Sequence, residues 1–238
     1  MFYKLFTVIF TAAVVSAAGS YKFERIDRDN VALLIVDHQV GLLNAVHDYS
    51  SGDFYRNVLL HASLGKVFNL PVVLTTSVET GPDGPLLKDI LDMYPNATII
   101  KRPGEINAWD NADFRAAVAA TGKKQVIIGG ITTDVGTMFV ALSMREAGYT
   151  VFVNADASGA LDIRAADNAN ARMRDAGVIV LPRLSVLSDL LRDWRNAPGP
   201  GSVLRFANEW LPEFRGIIGL HAGAIREGQL LPNETEIA

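Results

Sequence analysis

Three places in this 238-residue sequence put groups able to move a proton or hold an anion at the end of an apolar run. Asp37 closes the run Val31-Ala32-Leu33-Leu34-Ile35-Val36. Lys101 and Arg102 follow Thr98-Ile99-Ile100. The turn Gly130-Ile131-Thr132-Thr133-Asp134-Val135-Gly136 follows Gln125-Val126-Ile127-Ile128 and leads into a segment of helical period. A carboxyl group directly after a buried strand has its charged form disfavoured by burial, which suits it to general acid or base work. The same carboxylate could instead cap a helix or pair structurally with Lys101 or Arg102. A turn that opens a helix offers free N–H groups to an anion.

These positions gain meaning from the elements that must hold them. Val31–Val36 is apolar throughout, as expected of a strand covered on both faces. Further strands are expected at 72–75, 98–100, 125–128, 150–153 and 178–181. Helices are expected over 54–68, 110–121, from about 135, over 164–176 and over 186–194. Thr133 or Asp134 is a candidate cap for the third of these, with Val135, Phe139 and Leu142 on its inner face. Strand–helix alternation of this kind implies an α/β fold: a doubly wound, mostly parallel sheet with helices on both faces, in a Rossmann-like three-layer arrangement. In such sheets ligands bind beyond the carboxyl ends of the strands, where all three positions fall.

Composition excludes several classes of chemistry. The chain has no cysteine, so thiol nucleophiles, disulfides and cysteine-ligated metals are ruled out. Its 22 basic residues against 26 acidic ones give no basic excess for a nucleic-acid partner. His38, His47, His61 and His221 form no closely spaced ligand pair, and no metal or cofactor is expected. Gly129-Gly130 belongs to neither a dinucleotide fingerprint nor a P-loop. Trp109, Trp194 and Trp210 read as packing residues, with Trp109 a candidate for the border of a pocket. Residues 1–18 read as a secretory signal peptide: Lys4, an apolar stretch from Leu5 to Val15, then Ser16-Ala17-Ala18. The expected product is secreted, with no membrane association once the leader is removed. Residues 19–196 form the expected domain. Beyond Ala197-Pro198-Gly199-Pro200-Gly201 lies an apolar tail, 197–238, expected to pack on its own domain or on a neighbouring subunit.

Six short motifs together resemble the isochorismatase-like hydrolase family, most closely its YcaC-related branch. They are Asp37-His38-Gln39, Asn69-Leu70-Pro71, Thr75-Thr76-Ser77, Arg102-Pro103-Gly104, Ile106-Asn107-Ala108-Trp109-Asp110-Asn111 and Gly130-Ile131-Thr132-Thr133-Asp134-Val135. The resemblance runs from about Arg25 to the region of Trp194-Arg195-Asn196 and into the tail. It implies catalytic positions at Asp37, Arg102 (with Lys101 the neighbouring basic residue) and Gly136, and substrate contacts at Gln39, Lys101, Trp109, Ile131, Thr132 and Thr133. It also implies a homo-oligomer, a small-molecule substrate or ligand, and a cis peptide in the turn at Thr132-Thr133. Most of the family uses a cysteine at the position held here by Gly136, so covalent amide hydrolysis by that route is closed to this chain.

Two readings follow from the resemblance. In the first, the protein is a hydrolase without a cysteine nucleophile, acting on isochorismate or a similar vinyl ether. Asp37 would be the proton donor, and Arg102 would hold a substrate carboxylate. In the second, it is an inactive pseudo-hydrolase kept as a binding or interaction protein, such as a secreted effector.

Overall fold

The computed structural model describes residues 23–228. The expected leader, 1–18, lies outside the described residues. Six strands, β1 (Val31–Val36), β2 (Val72–Ser77), β3 (Ile99–Arg102), β4 (Gln125–Gly130), β5 (Thr150–Asn154) and β6 (Ile179–Leu181), form one sheet in the order β3-β2-β1-β4-β5-β6. Every neighbouring pair is parallel. The central strand, β1, shows why its sequence is apolar throughout. Val31, Leu33 and Ile35 enter one core, while Ala32, Leu34 and Val36 enter the other. Parallel crossovers carry helices over both faces, so each side of the pleat meets hydrocarbon.

On one face lie α1 (Ser51–Val67), α2 (Lys88–Met93), α6 (Arg183–Leu191) and α7 (Pro200–Trp210). On the other lie α3 (Ala112–Ala120), α4 (Met138–Glu146) and α5 (Ile163–Asp175). Side-chain caps start three of them. Ser50 accepts from Asp53 N–H, Asn111 from Phe114 N–H, and Asp162 from the N–H groups of Arg164 and Ala165. Helix α1 buries ten residues on several sides because α7 covers the surface that would otherwise face water.

One expectation about the elements needs correction. Neither Thr133 nor Asp134 caps α4: a π-helical turn spans Thr133–Thr137 and α4 begins at Met138. The extra residue in a π turn changes the phase of the helix that follows. Met138, Val140, Ala141 and Met144 are therefore buried, while Val135, Phe139 and Leu142 are only half-buried. The segment after Gly199 is helical. Val203, Phe206, Ala207 and Leu211 are buried against the α1 side of the core, and α8 (Pro212–Arg226) packs on α7.

Candidate active site

The strand order reverses between β1 and β4, and in such sheets ligands bind at the carboxyl ends of the strands flanking that point. Asp37 stands there in the left-handed backbone region, with φ 58°, a conformation uncommon for residues other than glycine and concentrated at functional sites. It is held by its N–H, which donates to the Thr75 carbonyl at 3.0 Å, and by its own carbonyl, which accepts from Gln39 N–H at 2.7 Å. The residue is 3% exposed.

Arg102 ends β3, two strands away, and is 2% exposed. Its Nη2 donates to Asp37 Oδ1, and Nη1 donates to the carbonyls of Glu105 and Ile106. Its Nε donates to Thr75 Oγ1 at 3.1 Å, while that hydroxyl donates to the Ile100 carbonyl at 2.8 Å. The guanidinium is thus committed to protein partners, so it positions Asp37 rather than standing free for a substrate carboxylate. Burial pushes the Asp37 carboxyl up to about 6, the charge and hydrogen bond of Arg102 pulling the other way. Lys101 points away, as the pleat requires of a residue next to an inward-facing one, and pairs at 2.7 Å with Glu79 at the surface. The structure therefore does not bring Lys101 into the site.

The third wall is the turn after β4. The Ile131–Thr132 peptide is cis. A Cβ built on Gly136 would lie 2.5 Å from the Ile131 carbonyl oxygen and 3.6 Å from Asp37 Oδ2. The glycine thus faces the second oxygen of the same carboxylate that Arg102 holds by the first. Thr133 is buried, its N–H bonded to the Gly159 carbonyl at 2.9 Å and its hydroxyl donating to the Ser158 carbonyl at 2.7 Å. It braces the turn, and that hydroxyl has no base beside it. The Thr132 carbonyl accepts from the N–H groups of Val135 and Thr137, closing the π turn. Ile131 sends its side chain into the core and leaves its carbonyl at the site.

The remaining expected contacts serve the frame. Gln39 is fully buried, donating to the Ser77 and Gly84 carbonyls and accepting from Ser77 N–H at 2.8 Å. It ties the 78–85 loop to the end of β1, and its amide is not available to a substrate. Trp109 is half-buried and packs edge-on against Phe114 and Tyr149. His38 is fully buried. Its Nε2 meets the Ala157 carbonyl at 2.9 Å, while Nδ1 has no partner among the described residues. Next to it, His61 donates from Nε2 to the Leu34 carbonyl at 3.0 Å. Burial pushes the two imidazoles down to about 3 and about 4, so both are neutral at ordinary pH. Gly129 must be small because a Cβ there would lie 2.8 Å from His61 Nε2. Among the described residues no cluster of three or more His, Asp or Glu side chains is arranged to hold a metal ion.

Thr75 is the site residue that reading for titratable groups misses. Its signal was a run of polar residues, Thr75-Thr76-Ser77, closing a strand whose start is apolar.

The switch point of a 3-2-1-4-5-6 sheet thus carries an aspartate, a basic residue from β3 and the turn after β4, and comparison identifies the family. The isochorismatase domain matches residues 31–183, and the chain belongs to that family. It is 45% identical over 196 residues to the probable hydrolase YcaC of Escherichia coli strain K12, covering 82% of this chain and 93% of that one. The structure of YcaC from Pseudomonas aeruginosa with hexane-2,5-diol and covalent acrylamide superposes with a TM-score of 0.82 at 46% identity, covering 85% of this chain and 100% of that one. The Escherichia coli YcaC structure, described as an octameric hydrolase of unknown specificity, gives 0.83 at 43%, covering 86% and 99%. The protein is thus a probable hydrolase of the isochorismatase-like fold.

Proposed function

We propose that this protein hydrolyses a small vinyl ether, isochorismate or a close analogue, without a covalent enzyme intermediate. The observation that carries this reading is the Asp37 carboxyl: Oδ1 is fixed by Arg102, and Oδ2 faces Gly136. A carboxyl lifted to about 6 is protonated often enough near neutral pH to deliver a proton to the terminal vinyl carbon. Arg102 holds that carboxyl at a fixed angle. The absence of cysteine closes a thiol route and supports one through proton transfer and water.

The test is pyruvate release from isochorismate by the purified protein with an Asp37→Asn variant alongside. Turnover is expected from the parent, with kcat lowered by about 100-fold or more in the variant, the scale of a lost general acid. No pyruvate from the parent would overturn the substrate assignment.

A second reading, a pseudo-hydrolase that binds a small acid or a partner, draws support from the near-complete burial of Asp37 and Arg102. It expects ligand binding by calorimetry with no turnover of any vinyl ether. We also propose that the protein is exported, supported by the leader-like residues 1–18, and that copies of it assemble, as the octameric Escherichia coli relative does. The apolar face of α8, with Ile217 60% and Leu220 78% exposed, supports assembly. No helix among the described residues is long and apolar enough to cross a membrane.

A further inference from the structure

The loop that feeds the edge of the sheet carries the tripeptide Asn96-Ala97-Thr98. An asparagine two residues before a threonine, with a residue other than proline between them, is the acceptor pattern for an N-linked sugar. Such triplets also arise by chance, so placement decides what this one can do. Pro95 and Asn96 form the corner of a tight turn, closed by the Ala97 N–H donating to the Tyr94 carbonyl at 3.1 Å. The backbone closes that turn, so it does not draw on the Asn96 amide. Tyr94 fixes the near side: its hydroxyl donates to the Ala62 carbonyl of α1, and its N–H to the carbonyls of Ile90 and Leu91. Strand β3 fixes the far side by pairing with β2 from Ile99 onward. Pro95, Asn96 and Thr98 are exposed, whereas Tyr94, Ala97 and Ile99 are partly buried. Both residues that the pattern requires are therefore open to solvent on a corner held at its two ends.

Topology adds two facts. The turn lies at the amino end of β3, whereas Arg102 ends that strand and meets Asp37 at the carboxyl end of the sheet. Strand β3 is also an outer strand, paired on one side only, and the unpaired backbone groups of such an edge invite other chains. We propose that Asn96 is an N-glycosylation site whose oligosaccharide stands beside the open edge of β3. The inference rests on the export proposed above, because the sugar donor is met on the secretory route. In the transfer, Asn96 Nδ2 forms a bond to the anomeric carbon of an oligosaccharide carried on a lipid pyrophosphate. The bond from that carbon to the phosphate oxygen breaks, the lipid pyrophosphate leaves with the electron pair, and the amide gives up one proton. Thr98 provides the hydroxyl that the acceptor pattern requires. The attached group is bulky and hydrated, so it screens the edge from a second strand while leaving the Asp37 end open.

The full chain, with its own residues 1–18, is expressed in a eukaryotic cell, and protein from the medium is mapped by peptide mass spectrometry before and after peptide N-glycosidase. Expected is a sugar-bearing peptide that contains Asn96, with Asn96 converted to aspartate when the sugar is released. Asn96→Gln and Thr98→Ala are expected to lose this modification, and Thr98→Ser to keep it. Peptide mapping separates Asn96 from the second such triplet, Asn233-Glu234-Thr235, which lies outside the described residues. Exported protein with Asn96 unmodified would overturn the inference and leave export standing. Protein that stays in the cytosol overturns export. The chain from residue 19 onward, placed behind a proven leader, then decides the site: a modified Asn96 supports it and an unmodified one overturns it. If a variant fails to reach the medium, the parental peptide map decides. On warming, enzymatically deglycosylated protein is expected to aggregate faster than the sugar-bearing form by light scattering, and equal rates would overturn the screening of the β3 edge.

Discussion

Asp37 and Arg102 are each costly to bury alone and tolerable only as a pair. A guanidinium with four protein acceptors and a carboxylate on one of its nitrogens leave little charge unmet, whereas either one alone would be a buried ion. Arg102→Lys keeps the charge but loses the planar fork that reaches Asp37, Thr75 and two carbonyls at once. It is expected to lower the urea unfolding free energy by about 3–5 kcal/mol, the range for a broken buried pair. Thr75→Val removes the hydroxyl under Arg102 Nε while keeping the shape, with an expected loss of about 1–3 kcal/mol for a buried donor left unpaired. Gly136→Cys would drive a side chain into the Ile131 carbonyl. It is expected to cost about 1–3 kcal/mol by overpacking, and amide hydrolysis assays should show no gained activity because the backbone must move before a thiol fits.

At the scale of elements, α1 and β1 bring two imidazoles together under the sheet. His38 and His61 have folded values of about 3 and 4, below the ordinary 6.5. Their contribution to stability is full above pH 6.5 and is lost as pH falls towards 4 and then 3. Asp37 runs the opposite way: its folded value of about 6 lies above 3.8, so its contribution is fullest below 3.8 and is lost as pH rises through 6. Two groups oppose one, so unfolding free energies measured between pH 7 and 3 are expected to decline on acidification. The decline between 6 and 3.8 should be steeper in Asp37→Asn, which removes the opposing contribution. The same Asp37 value sets the sign for catalysis. If Asp37 is the proton donor, kcat falls as pH rises through about 6.

For the whole molecule, the helical pair after Gly199 is what separates a bare α/β layer from a finished core. Phe206 is 5% exposed and sits in the cluster with α1, whereas Leu220 is 78% exposed on the outer helix. Phe206→Ala is expected to cost about 3–5 kcal/mol in thermal or chemical unfolding. Leu220→Ala should stay within about 0.5 kcal/mol in the isolated subunit. Were Phe206→Ala also harmless, α7 would not be part of the folding unit.

How much of this was legible beforehand follows from which physical signals are local. A strand covered on both faces has to be apolar at every position, so β1 and the polar residue that ends it can be read directly from the chain. Absence of a thiol is likewise a fact of composition, and the tail's apolar content announced that it had to pack somewhere. Other features depend on neighbours far away in sequence. Only the pairing of β2 with β3, Ser77 opposite Arg102, decides that Arg102 turns inward while Lys101 meets Glu79 outside. Only the sheet order puts Thr75 between Asp37 and Arg102. Gln39 is as polar as any substrate-binding residue, and its conversion into a strap is settled by the loop 40 residues later that needs its hydrogen bonds. The sequence by itself determined the layers and the carboxyl-end position of Asp37, because burial and periodicity act along the chain. Tertiary structure alone decided which polar groups face one another, because a hydrogen bond depends on register, pleat direction and a match to within a few tenths of an ångström.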